Sequence, residues 1–301
     1  LSRVDAVAPH DIQLPLNLAT GGAEALTRVV DDCHDSEACR AAYPTLAQDL
    51  EQLRERLLAE PQRFTVAHPQ SGRPGEVLVP WPLVARLLYT AMMSDELRAL
   101  VPLAIHQASR GELGPLAAIT DALGASQDQI SYGLHLAVTC SEDLRPIPAL
   151  DRARAIAADP HGVAAMVLEQ YEAMCALFPE AALPEGFGEP PRLDTPTVIL
   201  SGALDPVTPP RWGAAMGERL KNSRHLVVPG TTHGCWRHGC VVGLMTDFLA
   251  GGTSSPSEPL GQLEQLDPKD CLQRIQAQPF FLSNAGPIQA PQHSPRPEVA
   301  P

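Results

Sequence analysis

Two short stretches decide how this chain folds: Thr197-Val-Ile-Leu-Ser-Gly-Ala-Leu-Asp-Pro-Val-Thr-Pro-Pro and Arg224-His-Leu-Val-Val-Pro-Gly-Thr-Thr-His-Gly. Each begins as an apolar, β-branched run and ends at glycine or at a proline-glycine pair. Strands buried on both faces of a parallel sheet have this pattern. Between them Arg211 to Leu220 has helical spacing, and Gly239 to Leu249 after them reads as a closing helix. Strand, helix, strand, helix is the signature of an α/β unit. Two strands are too few for a free-standing parallel sheet, so the unit calls for further partners.

In open α/β sheets reactive groups sit in the loops at the carboxyl ends of the strands. Asp205 follows the first strand and His233 the second. Adjacent parallel strands bring those loops together, and a carboxylate then fixes the tautomer of an imidazole acting as a base. The order acid then base suits this fold. Taken singly, an Asp before Pro is commonly a turn former and a loop His is commonly solvated. Their occurrence on consecutive strand ends is what singles them out.

Upstream the pattern changes. From Leu16 to about Leu183 apolar residues recur three and four apart, in Ala23 to Val30, Leu46 to Leu58, Leu83 to Met93, Leu97 to Ala108 and Ile130 to Val138. This stretch is mainly helical, with one short hairpin predicted between Phe64 and Pro80. Pro184 to Pro196 is rich in Pro, Gly and Glu, as at a domain junction, and Gln289 to Pro301 has the composition of a disordered tail.

At 301 residues and 44% hydrophobic the chain can bury a sizeable core. It has no apolar run long enough to span a bilayer as a helix. A net charge of -13, from 35 acidic against 22 basic residues without a basic patch, argues against nucleic-acid or anionic-membrane partners. Leu1 to Val7 reads as the end of a buried strand rather than a signal peptide, so the chain looks cut at its front.

The segments Gly202-Ala-Leu-Asp-Pro-Val-Thr-Pro, Thr232-His-Gly and Thr139-Cys-Ser-Glu-Asp together resemble the tripeptidyl and prolyl aminopeptidase branch of the α/β-hydrolases. The likeness runs over nearly the whole chain. Val4-Asp-Ala-Val-Ala-Pro resembles a segment that lies just past the nucleophile elbow of that family, and Cys271-Leu-Gln-Arg-Ile to Pro279-Phe-Phe-Leu resembles its closing extension. The resemblance implies a strand and loop of the hydrolase core over residues 1–15, a helical cap over 16–190, a C-terminal hydrolase segment over 191–288 and a tail over 289–301.

That reading makes the chain the C-terminal part of an α/β-hydrolase sheet with a large cap, a serine exopeptidase fragment in which Asp205 and His233 are acid and base. It implies a peptide substrate, with Glu142 and Asp143 of the cap meeting its free amino terminus. An alternative for the same two residues is that they end a helix in solvent or bond Arg145. The sequence departs from the family in one respect: no Gly-x-Ser-x-Gly occurs in it. The serine, the oxyanion hole and most of the parallel sheet are therefore expected upstream of Leu1, in a missing N-terminal hydrolase half, and this chain alone is expected to be inactive. Two alternatives remain: another hydrolase such as an esterase, because one triad serves many leaving groups, and a non-catalytic binding module.

The resemblance also implies disulfides Cys33–Cys39, Cys140–Cys175 and Cys240–Cys271, which leaves Cys235 odd. Three bridges point to the periplasm or the exterior of the cell. A rival reading takes His233, Cys235, His238 and Cys240, within eight residues, as zinc ligands. Structural zinc sites usually draw on two separated pairs, so neither a metal nor a cofactor is expected here.

Overall fold

Helix α1 (Leu14–Asp35) is the axis of the helical region, the stretch expected to be a cap. Pro15 sits in its first turn, where the missing N–H costs nothing. Leu18, Ala19, Leu26, Val29 and Cys33 recur at helical spacing and are buried. The computed structural model describes residues 13–67, 71–127, 131–144, 147–178, 183–185, 187, 195–251 and 269–284. Val4 to Pro9, the junction between 188 and 194, Arg145 and the tail from 289 lie outside the described residues.

Short α2 (Glu37–Ala42) follows α1, capped by Ser36, whose side chain accepts from the N–H of Cys39. The Cys33–Cys39 disulfide ties it back to α1. Helix α3 (Leu46–Ala59) leads into an antiparallel hairpin of β1 (Gln62–Ala67) and β2 (Pro74–Val79), registered Gln62 to Val79 and Ala67 to Pro74. Helices α4 (Trp81–Ala91), α5 (Asp95–Ser109) and α6 (Gly114–Gln127) complete this half of the cap. Buried Asp49 of α3 accepts from His106 (2.8 Å) and Arg110 (3.1 Å), locking α3 to α5. The guanidinium of Arg98 pairs with Asp32 and joins α5 to α1.

Helix α7 (Tyr132–Val138) runs into a π-turn, Thr139–Asp143, closed by the N–H of Leu144 on the carbonyl of Thr139 at 3.0 Å. Helices α8 (Ala149–Ala158) and α9 (Val163–Cys175) follow, and α9 packs along α1. The Cys140–Cys175 disulfide pins the π-turn to the end of α9.

The α/β unit has the expected order: β3 (Thr197–Gly202), α10 (Pro210–Gly217), β4 (Ser223–Val228) and α11 (Gly239–Gly251). The two strands pair in parallel, Thr197 with Ser223 and Gly202 with Val228. Cys240 on α11 is bonded to Cys271 in a last helical turn, Lys269–Leu272. Beyond it the chain returns to the cap. The N–H of Phe281 donates to the carbonyl of Ala99 (3.0 Å), and Tyr43 donates to the carbonyl of Phe281 (2.7 Å).

Leu14 and Pro15, expected at the end of a core strand and loop, form the first turn of α1. The proline there opens a helix because the first turn needs no donor. No helix among the described residues is long and apolar enough to cross a membrane.

Leu26 is fully buried at the middle of α1. Leu26→Ala is expected to lower unfolding stability by about 2–5 kcal/mol, read from denaturant midpoints; a loss below about 1 kcal/mol would mean that α1 is not the centre of the cap core.

Candidate active site

Parallel pairing of β3 with β4 puts both loop starts at the same sheet end, and glycine lets them touch. A Cβ on Gly202 would stand 2.1 Å from the carbonyl oxygen of Thr232 and 2.7 Å from that of Thr231. Cross-links follow from that approach. Ala203 N–H donates to the Val228 carbonyl (3.0 Å) and Leu204 N–H to the Thr231 carbonyl (2.8 Å).

This frame brings the Nδ1 of His233 to 3.0 Å from Oδ2 of Asp205. The two carboxylate oxygens of Asp205 have different tasks. Oδ1 accepts from the N–H groups of Val207 (2.7 Å) and Thr208 (2.9 Å), the turn-forming role that any Asp before Pro can take. Oδ2 accepts from the hydroxyl of Thr208 (2.7 Å) as well as from His233. Burial would push the carboxyl of Asp205 up, but His233 and the Thr208 donors together hold it below the usual carboxylate range. It is therefore an anion and an acceptor, so Nδ1 of His233 carries the proton and Nε2 has the basic lone pair. The Asp205 side chain is 4% exposed and that of His233 is 36% exposed, which leaves the acid sheltered and the base within reach of a reactant.

Residues 161–258 match the family model described as TAP-like protein. The match supports an α/β-hydrolase family for the chain, and hydrolase chemistry with it. It takes in α9, β3, α10, β4 and all of α11, hence both Asp205 and His233, and it begins after the π-turn that holds Glu142 and Asp143. No curated protein matches the chain.

Glu142 and Asp143 are partly buried in the π-turn rather than exposed on a helix end. The backbone N–H of Leu14, at the start of α1, donates to Asp143, where the helix dipole favours a negative charge. Burial pushes the Asp143 carboxyl up to about 6; Leu14 opposes the shift and neighbouring Glu142 adds to it. Beside it, Tyr171 of α9 shares a hydrogen bond with Nε2 of His135 (2.9 Å), and burial with the nearby Asp143 pushes its hydroxyl up to about 12. Helix α1 also meets the acid loop: the Pro206 carbonyl oxygen lies 2.2 Å from where a Cβ on Gly21 would be. Asp143 and the Asp205 loop thus touch the same helix, seven residues or about 10 Å apart along its axis.

The cysteines form Cys33–Cys39, Cys140–Cys175 and Cys240–Cys271, the three pairs named above, and Cys235 is a buried thiol. The zinc reading loses two of its ligands. Cys240 is in a disulfide and Nε2 of His238 is bonded to Asp95 (3.1 Å). A second serine–histidine contact, Ser201 Oγ to His225 Nε2 (2.9 Å), is closed off: a Cβ on Gly213 of α10 would stand 2.7 Å from that hydroxyl. Ser201 braces the sheet and offers no route to a substrate.

Thr208 was not singled out from the sequence, where a Thr two residues after Asp-Pro reads as turn composition. Its spacing three after an acid at a strand end was the available signal.

The two carboxylates respond to pH with opposite sign. Asp143, raised in the folded chain, binds its proton before the unfolded chain does, so stability rises as pH falls from about 6 toward the ordinary carboxyl value of 3.8. Asp205, depressed in the folded chain, contributes stability that is lost as pH falls below its unfolded value. Thermal midpoints of Asp143→Asn against the parent should lose the gain on acidification between 6 and 3.8; a gain of unchanged size would show that Asp143 is not its source.

Proposed function

We propose that the chain supplies the acid and base of a serine exopeptidase that releases short peptides from free amino termini. What supports this reading is the bonded pair of Asp205 and His233 with a second, partly buried carboxylate, Asp143, against the helix that the Asp205 loop also touches.

On this reading Nε2 of His233 takes the proton of a serine hydroxyl supplied by a hydrolase segment outside this sequence. The serine oxygen adds to the scissile carbonyl, and Asp205 stabilises the imidazolium. His233 then protonates the leaving amine, the acyl-enzyme remains, and water attacks by the reverse relay. The peptide ammonium is received by Asp143, with Glu142 adjacent, because a cation offsets the burial of that carboxylate. Three disulfides fit export to an oxidising compartment, the periplasm or the exterior.

The test uses the enzyme joined to its serine-bearing segment, with peptides of rising length bearing free or acetylated amino termini and product masses as readout. Short peptides are expected from free termini, with kcat/KM about a hundredfold lower after acetylation. His233→Ala should reduce kcat by about 10⁴ or more with substrate still bound. Equal turnover of acetylated peptides and simple esters would instead make the enzyme an esterase-like hydrolase.

A further inference from the structure

The loop bearing His233 is held from outside the α/β unit. Asp95 is the first residue of α5, in the cap, next to the helix-capping Ser94. Its Oδ1 accepts from the backbone N–H of Thr232 (2.6 Å) and from the Thr232 hydroxyl (2.7 Å), which also contacts the carbonyl of Met93 (3.0 Å). Its Oδ2 meets Nε2 of His238 (3.1 Å). Thr232 immediately precedes His233, and His238 closes the 3₁₀ turn Cys235–Arg237 that follows it. One carboxylate from the cap thus grips the loop on both sides of the base.

We infer that Asp95 is a positioning residue whose carboxylate, through Thr232 and His238, keeps the His233 ring on Asp205. The backbone carbonyls of Thr231 and Thr232 are pressed against Gly202, which fixes the loop from the sheet side. Asp95 supplies the opposing restraint. Bonds from a carboxylate to N–H and O–H donors are about twice as strong as neutral ones, so a single side chain suffices. A consequence is that cap and base are coupled, because displacement of the α5 N-terminus moves Thr232 and the angle of His233 to its acid.

This inference rests on the Asp205–His233 pair, and its test reads that pair directly. In the chain uniformly labelled with ¹⁵N, imidazole correlation spectra report which ring nitrogen of His233 carries the proton, at a pH where the ring is neutral. The parent is expected to hold the Nδ1–H form. Asp95→Ala should lower the ratio of that form to the other about tenfold, the equivalent of one charge-assisted bond. Asp95→Asn, which keeps an acceptor for Thr232, should restore most of it. Near-UV circular dichroism shows whether each variant is folded; if Asp95→Ala is not, Thr232→Val combined with His238→Gln replaces it with the same expectation. A folded variant with an unchanged His233 ratio, while Asp205→Ala shifts it, overturns the role of Asp95 alone. No shift in Asp205→Ala overturns the pair itself.

Discussion

At its midpoint α1 presents two successive glycines, and the backbone of Pro206 lies where a side chain of Gly21 would be. Gly22 makes the same allowance for the ring of Tyr89, whose atoms would be 2.5 Å and 2.7 Å from a Cβ there. Glycine in a helix costs up to about 1 kcal/mol relative to alanine. Gly21 carries that cost because α1 and the acid loop approach to backbone contact, and Gly22 because the Tyr89 ring of α4 packs against α1. With α1 so placed, Glu24 on its flank reaches Arg211 of α10 (2.6 Å) and Arg28 donates to the carbonyl of Ala203 (3.0 Å). The acid loop is thereby bounded by the cap on one side and by the His233 loop on the other.

Two carboxylates on this frame are driven in opposite directions by their surroundings. Both are desolvated. Burial raises Asp205, but His233 first and the Thr208 donors of its own turn after it outweigh burial. Asp143 has the N–H of Leu14 against burial and the charge of Glu142, and its carboxyl rises. A group held as an anion suits the permanent partner of an imidazole, whereas a carboxylate short of donors suits a cation that arrives and leaves. The same residue type thus serves two purposes through donor count rather than depth.

How far this was legible in the sequence depends on the range of the interactions. Strands β3 and β4 were readable because burial on both faces leaves an unbroken apolar run bounded by glycine. Asp205 and His233 followed from strand ends alone, since parallel pairing brings such loops together without further information. Helices α6, α8 and α9 were not marked out. Their apolar stripe is diluted by alanine, which has little side chain to distinguish core from surface, as in Ala149-Leu-Asp-Arg-Ala-Arg-Ala-Ile-Ala-Ala. Helix α5 was readable despite Pro102, which is buried within it. Asp95 stayed hidden for another reason. An acid at the first position of a helix is what the helix dipole favours, so local chemistry already accounted for it. Its contact with Thr232 spans 137 positions of sequence.

Asp95 and Asp205 both hold a histidine, at 3.1 Å and 3.0 Å, yet the pairs are not equivalent. Asp205 bonds Nδ1 of His233, leaving the far nitrogen of the ring pointing away from its acid, as a proton shuttle requires. Asp95 bonds Nε2 of His238, the nitrogen at the tip of the side chain, so that ring is engaged at its leading edge. Exposure divides them likewise: the carboxylate of Asp205 is 4% exposed and that of Asp95 19%. Ring orientation therefore suits the pair on the strand ends to the proton transfer proposed above, and the pair on the cap to attachment of the loop.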